Sequence, residues 1–186
     1  MSIRTLLIDG HDPDRPAPMV AALAGELGGR GHEVSRLDLA AAGFDRTMSP
    51  AEREAYPSRH PLVTPETRAA ADQVKAATRL VICYPLVHGT CPVRVKSWQE
   101  RVLVEGVGFR FLASGRIAGA LEHLSDTLVV ASTPNGVGDR RDRAVLGQGR
   151  SLARAFRLMS NRHCRSDFVI TAPDDPAPAL AVLRTW

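Results

Sequence analysis

Three short and almost uninterrupted apolar runs constrain the fold of this chain more than any other feature of its sequence. They are TLLID at residues 5–9, LVICY at 80–84 and TLVVA at 127–131. A strand with one face in water alternates apolar and polar residues, whereas a continuous apolar run is typical of a strand covered on both faces. The runs therefore predict a parallel sheet between two layers of helices.

Helical patterns alternate with strands along the chain. Thr64 is suited to cap one helix and Gly28-Gly29 to end another. The alternation predicts an α/β fold, a flavodoxin-like three-layer sandwich with a five-stranded parallel sheet in the order 2-1-3-4-5, in which residues 1–186 form one domain. The predicted strands are 3–9, 33–38, 80–84, 127–131 and 167–171, and the predicted helices are 19–29, 65–78, 92–104 and 143–160.

Two segments fit this alternation less well. Residues 43–63 form a long polar excursion without a strong pattern, and segments of this kind are usually functional or face a partner. The proline-rich tail, 173–186, is expected to be loosely held, although 177–184 has the composition of a short helix.

Composition and charge narrow the class of protein. With 44% hydrophobic and 24% charged residues and no apolar run of membrane-spanning or signal-peptide length, we expect a cytoplasmic globular protein without membrane association. Three cysteines without metal-site spacing indicate reduced thiols and no metal site. The net charge of +4 includes Arg150, Arg154 and Arg157 on one helix face. No aromatic residues interleave with them, so a solvated face or attraction for an anionic cofactor is favoured over nucleic-acid binding.

Three loops follow the first, third and fourth predicted strands, and their ends converge on the crevice of such a sheet. The loops are 10–18, 85–91 and 132–139, and none matches GxGxxG or a P-loop. The third, STPNGVGD, fits equally a cradle for the polar edge of a flat ring and a plain surface turn.

Several motifs, in order, resemble one known family. They are Gly10-His11 after the first strand, GHEVSRLDLAAAGFDRTMSPAE at 31–52, YPLVHGTCPVRVKSWQERVL at 84–103, GVGFRF at 106–111 and STPNGVG at 132–138. Together they resemble the flavodoxin-like NAD(P)H:quinone oxidoreductases, which include DT-diaphorase and short bacterial quinone reductases. Trp98, in the third of these motifs, is predicted to be a core residue.

The resemblance implies a flavin, FMN or FAD, held by the three loops, with NAD(P)H as co-substrate. Hydride would pass through the flavin to a quinone or similar flat electrophile by a ping-pong mechanism. It also implies a homodimer in which each site is completed by the partner chain, with 43–63 and 102–111 as candidate interface segments. The implied cofactor-binding residues are His11, Arg15, Ala17, Pro85, Leu86, Val87, His88, Gly89, Ser132, Thr133, Asn135 and Gly136.

Two further site assignments have structural alternatives. Phe109 and Phe111 fall where relatives line the quinone pocket, and they fit equally well as packing under a loop. His88 is the candidate catalytic residue, because an imidazole near a flavin can donate a proton to a quinolate; the alternative is an ordinary loop histidine.

The chain departs from the family at two loops. Pro16, Ala17 and Pro18 stand where relatives carry Ser, Phe and Asn, so hydroxyl and amide donors to the flavin phosphate are missing. Val87, His88 and Gly89 stand where relatives tend to have bulky aromatic residues. These departures motivate a second hypothesis, in which the fold has lost its flavin and binds another aromatic ligand for non-redox chemistry or regulation.

Overall fold

The computed structural model describes residues 2–14, 18–133 and 143–186. Five parallel strands form one sheet in the order β2-β1-β3-β6-β7, and β4 and β5 form a separate antiparallel hairpin. Renumbered without the hairpin, this order is the predicted 2-1-3-4-5. The elements are β1 (Arg4–Asp9), α1 (Pro18–Gly29), β2 (Glu33–Asp38), α2 (Pro50–Ala55), α3 (Pro65–Ala76), β3 (Arg79–Pro85), α4 (Val93–Val102), β4 (Phe109–Phe111), β5 (Ile117–Gly119), β6 (Asp126–Ser132), α5 (Arg143–Met159), β7 (Arg165–Thr171) and α6 (Ala177–Leu183).

Both faces of the sheet are covered, as the three apolar runs predict. One face packs Leu7, Val81 and Val130 against α1 and α6. The other packs Leu6, Ile8 and their neighbours against α3, α4 and α5 in the larger of the two cores. Trp98 lies fully buried in this larger core, so its prediction as a core residue is confirmed. No helix of the described ranges has the length and apolar character needed to cross a membrane.

Both helix-end signals in the sequence are confirmed. Thr64 caps α3 by accepting a hydrogen bond from the backbone N–H of Thr67, as predicted. α1 ends at Gly29, as predicted, and the chain reverses just after it at Gly31, which has φ of +80°. The backbone N–H of His32 bonds the carbonyl of Leu27 across this turn. Glycine is favoured at Gly31 because its backbone is left-handed there.

The excursion at 43–63 is anchored by the buried residues Phe44, Glu52 and Pro61, and it contains a short helix that the sequence analysis missed. Ser49 and Glu52 form a capping box at the start of α2. Glu52 is buried and accepts a hydrogen bond of 2.6 Å from Nε of the buried Arg101. Arg101 also bonds Glu66 at 3.0 Å and lies over the ring of Phe44. Burial opposes the charge on Glu52, but the hydrogen bonds from Ser49 and Arg101 outweigh it and lower its pKa.

The C-terminal tail is also held against the domain, which corrects the expectation that it is loose. Ala179 and Leu183 of α6 are fully buried in the core that contains α1. The short helix suggested by the composition is therefore present, and its apolar side explains why the tail packs.

Candidate functional site

The described beginnings of the three predicted loops lie at the carboxyl ends of β1, β3 and β6. The backbone N–H of Gly10, at the end of β1, bonds the carbonyl of Cys83 at 2.8 Å. The N–H of Leu86, after β3, bonds the carbonyl of Ser132 at 2.7 Å. His11, Leu86 and Ser132 therefore lie at the carboxyl ends of these strands, where this topology is expected to have its ligand crevice.

Gly10 allows the first loop to pass close over its neighbours. A Cβ atom at this position would lie 2.5 Å from Cγ2 of Val95 and 3.0 Å from Cβ of Tyr84. Any side chain would therefore push the first loop away from α4 and β3, and with it the adjacent His11.

Asp9, at the end of β1, is a candidate site residue that the sequence analysis missed. Its Oδ1 accepts hydrogen bonds from the backbone N–H and from Nδ1 of His11, at 3.0 and 2.8 Å, and its Oδ2 accepts one of 2.6 Å from Arg36. Burial opposes the charge on Asp9, but the hydrogen bonds from His11 and Arg36 outweigh it and hold its pKa below the ordinary value. An acidic residue ending the apolar run TLLID immediately before Gly-His was the available signal.

His11 is held between the first and third loops. Because Asp9 accepts from Nδ1, that nitrogen carries a hydrogen and Nε2 is left facing the third loop. Nε2 lies 3.5 Å from the hydroxyl oxygen of Ser132, at the outer limit of a hydrogen bond. The imidazole is 11% exposed, so solvent and a ligand in the crevice can reach it while its orientation is fixed.

Arg94, a second residue that the sequence analysis missed, connects the first loop to α4 and to the excursion. Its guanidinium donates to the backbone carbonyl of His11 and pairs with the carboxylate of Asp45 at 3.2 Å. It projects from the first turn of α4, immediately after the second loop. No local motif singles it out, because its partners are distant in sequence.

The second loop is a tight two-residue turn. Val87 and Thr90 exchange backbone hydrogen bonds of 2.9 Å, and the residues between them, His88 and Gly89, have φ of +49° and +77°. Two central residues with positive φ define a type I′ turn. The side chains of Val87 and His88 are exposed at its tip, whereas Pro85 and Leu86 are half-buried beneath it.

The predicted cofactor residues divide into two groups. The structure brings together those that it describes: His11, Pro85, Leu86, Val87, His88, Gly89, Ser132 and Thr133. Arg15, Ala17, Asn135 and Gly136 lie outside the described residues.

Phe109 and Phe111 are not brought to this crevice within one chain. Their rings meet edge to face at 5.8 Å on β4, and Phe109 lines a surface groove of about 500 Å³ with Ile117, Leu158 and Met159. Met159 ends α5, which runs from the carboxyl end of β6 back towards the amino ends of the strands. A helix of 17 residues spans ~25 Å, so the groove and the crevice lie at opposite ends of the molecule.

The chemistry of the donors indicates what the crevice can hold. The donors on the described parts of the three loops are the imidazole of His11, the hydroxyl of Thr133 and the backbone N–H groups of His88 and Gly89, and no described residue accepts from those two N–H groups. The carboxylate of Asp9 is already engaged by two partners. Such a set suits a ligand with an anionic group and several hydrogen-bond acceptors, and the phosphate and ring carbonyls of a flavin meet this requirement.

Comparisons with known proteins agree with the topology. A model of the family described as having a flavodoxin-like fold matches residues 3–160. The structure is similar to that of an NAD(P)H:quinone oxidoreductase from Methanothermobacter marburgensis, with a TM-score of 0.73 and 17% identity, covering 100% of this chain and 97% of the other. It is similar to an FMN-dependent NADH-azoreductase from Bacillus anthracis in complex with FMN, with a TM-score of 0.70 and 17% identity, covering 98% and 94%. No protein of curated function matches the sequence.

Proposed function

Because this chain belongs to the family with the flavodoxin-like fold, we propose that it is a flavin-dependent NAD(P)H oxidoreductase that reduces quinones or similar flat electrophiles. The observation that carries the proposal is that the loops after β1, β3 and β6 begin side by side at the carboxyl ends of the strands, with hydrogen-bond donors on their described residues. Two proteins of similar fold are named as a quinone oxidoreductase and an azoreductase, and the second is in complex with FMN.

We favour FMN as the cofactor, and FAD is the alternative. Release and identification of the bound chromophore distinguishes the two. When bound, the flavin supplies the hydride-transfer chemistry. Thr133 and the N–H groups of the second loop would bind the polar ring edge, and Arg94 would supply positive charge beside the first loop, with the imidazole of His11 as a further hydrogen-bonding group. Because loop residues 16–18 lack hydroxyl and amide side chains, Arg94 and His11 are the replacement donors that we propose for the flavin phosphate.

We also propose that the reaction is ping-pong, and the open second loop supports this. The type I′ turn leaves Val87 and His88 at the rim, where relatives tend to have larger aromatic residues, so one open face serves NAD(P)H first and the acceptor afterwards. His88 remains the predicted proton donor from the sequence, and its exposed position at the turn tip is compatible with contact to an acceptor.

We also propose that the protein is a homodimer. Phe111, Ile117 and Leu158 are 55%, 65% and 74% exposed around the groove that Phe109 lines, which is a concentration of apolar surface on one side. A second copy covering this surface would bring Phe109 and Phe111 towards the crevice of the partner chain.

Light scattering tests the dimer. At micromolar concentration the wild type is expected to have twice the mass of one chain, and the Ile117→Ser variant is expected to have the mass of one chain.

A second candidate function keeps the crevice and omits the flavin. The loop sequence Pro16-Ala17-Pro18 favours it, since each lost hydrogen bond to a charged group removes about 1.5–3 kcal/mol of binding free energy. Such a protein would bind another aromatic ligand without consuming NAD(P)H.

One titration separates the two functions. Purified protein is mixed with FMN or FAD while quenching of flavin fluorescence is recorded, and NADH or NADPH oxidation is then followed with menadione as acceptor. The proposed function predicts saturable quenching and menadione-dependent NAD(P)H oxidation. Absence of both, in protein that is folded by circular dichroism, would contradict it and favour the second candidate.

A further inference from the structure

His32, Arg79, Asp126 and Trp186 form a cluster at the amino ends of the strands, at the edge of the sheet opposite the crevice. His32 precedes β2, Arg79 begins β3 and Asp126 begins β6. His32 and Asp126 are buried, and the side chain of Arg79 is 13% exposed. The cluster lies apart from the crevice, so the proposed functions do not use it.

The hydrogen bonds of His32 define which ring nitrogen carries its hydrogen. A guanidinium has only donors, so Nε2 of His32, 3.2 Å from a terminal nitrogen of Arg79, is the acceptor of that bond. The hydrogen of the neutral ring is then on Nδ1, which donates to the hydroxyl of Thr5 at 2.9 Å. This arrangement requires a neutral imidazole.

The charges that face His32 from the neighbouring elements also favour the neutral ring. Burial lowers the pKa of His32 below its ordinary value of 6.5, and the positive charges of Arg79, on β3, and Arg30, which follows α1, lower it further. Asp126, on β6, acts in the opposite direction, but its carboxylate is paired with Nε of Arg79 at 2.8 Å. The Thr5 hydroxyl, from β1, is uncharged. A proton on Nε2 would therefore place a second positive charge against the Arg79 guanidinium.

Arg79 connects this ring to the segment at 184–186, which follows α6. The guanidinium carbon lies 5.4 Å from the centre of the Trp186 ring, in a cation–π contact. Trp186 also packs against the core that contains α1, and Arg30 donates to its backbone carbonyl at 2.7 Å. The indole N–H is buried, and no described residue accepts a hydrogen bond from it. An unbonded buried N–H weakens this packing, so the contact with Arg79 matters more.

The other polar contacts of this segment are weaker. Arg184 and Glu26 are 3.6 Å apart, with most of the Arg184 side chain in solvent, and Arg165 reaches the Thr185 carbonyl only at 3.4 Å. Exposed ion pairs and hydrogen bonds near the upper length limit contribute little stability. The hold on the segment therefore depends on the cluster beneath Trp186.

We propose that His32 is a pH-sensitive switch that holds or releases the segment at 184–186. While the ring is neutral, it keeps Arg79 beneath Trp186, and the segment lies on the domain. When Nε2 takes up a proton, the guanidinium is repelled from the ring and Trp186 is released to solvent. Helix α6 stays in place, because Leu183 is fully buried. The release occurs below pH 6.5 and does not require a flavin.

Acrylamide quenching of tryptophan fluorescence measures this release in the intact protein. The chain has two tryptophans, and Trp98 is 0% exposed, so collisional quenching reports on Trp186. Quenching constants are recorded from pH 8 to pH 5, and circular dichroism at each pH shows that the protein is folded.

Three variants separate the switch from a general effect of acid. His32→Gln keeps an acceptor for the arginine but takes up no proton. His163→Gln is the matched control, because His163 also accepts from an arginine, Arg162 at 3.1 Å, but is exposed. Trp186→Phe removes the reporter. An NMR titration of the His32 ring in the wild type needs no variant.

We expect the wild-type quenching constant to rise about twofold or more between pH 8 and pH 5, through one ionisation with its midpoint below 6.5. The NMR titration of the His32 ring should give the same midpoint. His32→Gln should keep the low constant throughout, because its side chain stays neutral, and His163→Gln should match the wild type. Trp186→Phe should show little quenching at any pH, since Trp98 stays buried.

Any of three results would overturn the inference. In one, wild-type quenching is unchanged between pH 8 and pH 5. In another, the rise persists in His32→Gln, or its midpoint differs from that of the His32 ring. In the third, the rise persists in Trp186→Phe, which would mean that acid loosens the core around Trp98 instead. The proposed reductase function is tested separately by flavin binding and stands or falls independently of these results.

Discussion

Replacing the buried Arg101 with methionine is expected to destabilise the fold by breaking the ion pairs that anchor the excursion at 43–63. The Arg101 side chain is 0% exposed and bonds Glu52 at 2.6 Å, Glu66 at 3.0 Å and the Gly43 carbonyl at 3.3 Å. Methionine has a similar length, so the main effect is the loss of charge and of these hydrogen bonds rather than of volume.

The magnitude follows from what happens to the two carboxylates left behind. Removing one partner of a buried ion pair costs about 3–5 kcal/mol in the free energy of unfolding. Glu66 is 24% exposed and regains water, and Glu52 keeps a hydrogen bond of 2.7 Å from the backbone N–H of Ser49. The loss should therefore lie near the lower end, about 3 kcal/mol, which corresponds to roughly 6–12 °C in Tm for a domain of this size.

Urea unfolding of four proteins measures this loss: wild type, Arg101→Met, Glu52→Gln and the double variant. The double variant should recover about half of the Arg101→Met loss, because no buried charge is then left without a partner. Lys96→Met, at an exposed position on the same helix, is the control and should change stability by less than about 0.5 kcal/mol. An Arg101→Met loss below about 1 kcal/mol would refute the reasoning.

Three further outcomes are expected. Gly10→Ala places a Cβ 2.5 Å from Val95 and should cost about 1–3 kcal/mol in urea unfolding and weaken FMN binding; unchanged values would contradict the close approach. His88→Val should cost about 1–2 kcal/mol because φ there is +49°, whereas His88→Gly should cost less, and equal losses would argue against the type I′ turn. Because the pKa values of Asp9 and Glu52 are lowered on folding, stability present above about pH 4.3 should be lost as pH falls towards 3, with a shallower loss in Glu52→Gln.

The fold was predictable from local pattern because its central strands are covered on both faces. Continuous apolar runs such as LVICY and TLVVA leave few alternatives to a parallel sheet, and Thr64 is a strong local signal for a helix start. The hairpin of β4 and β5 was missed because its strands have three residues each, too few for an alternating pattern. The short α2 was missed although the capping box of Ser49 and Glu52 was present in the sequence.

The sequence predicts which loops form the candidate site, but it does not predict which side chains bond to one another there. His11 and Ser132 follow strand ends, so topology alone brings them to one crevice. Arg36 bonds Asp9, which is 27 residues away in the sequence, and Arg94 bonds the His11 carbonyl, which is 83 residues away. No spacing rule predicts such pairs. The family resemblance predicts Phe109 at the crevice. Within one chain its place is set instead by the connection from α4 to β6, because β4 lies in that connection.

FMN binding at the crevice tests the central claim most directly. Wild-type protein and Gly10→Ala are titrated with FMN by fluorescence quenching, and amide NMR shifts are followed for His11, Leu86, Ser132 and Thr133. Saturable binding by the wild type, weaker binding by Gly10→Ala and shifts concentrated at these residues are the predicted result. Folded wild-type protein that leaves FMN fluorescence unchanged, or that binds FMN with shifts confined to other regions, would contradict the account.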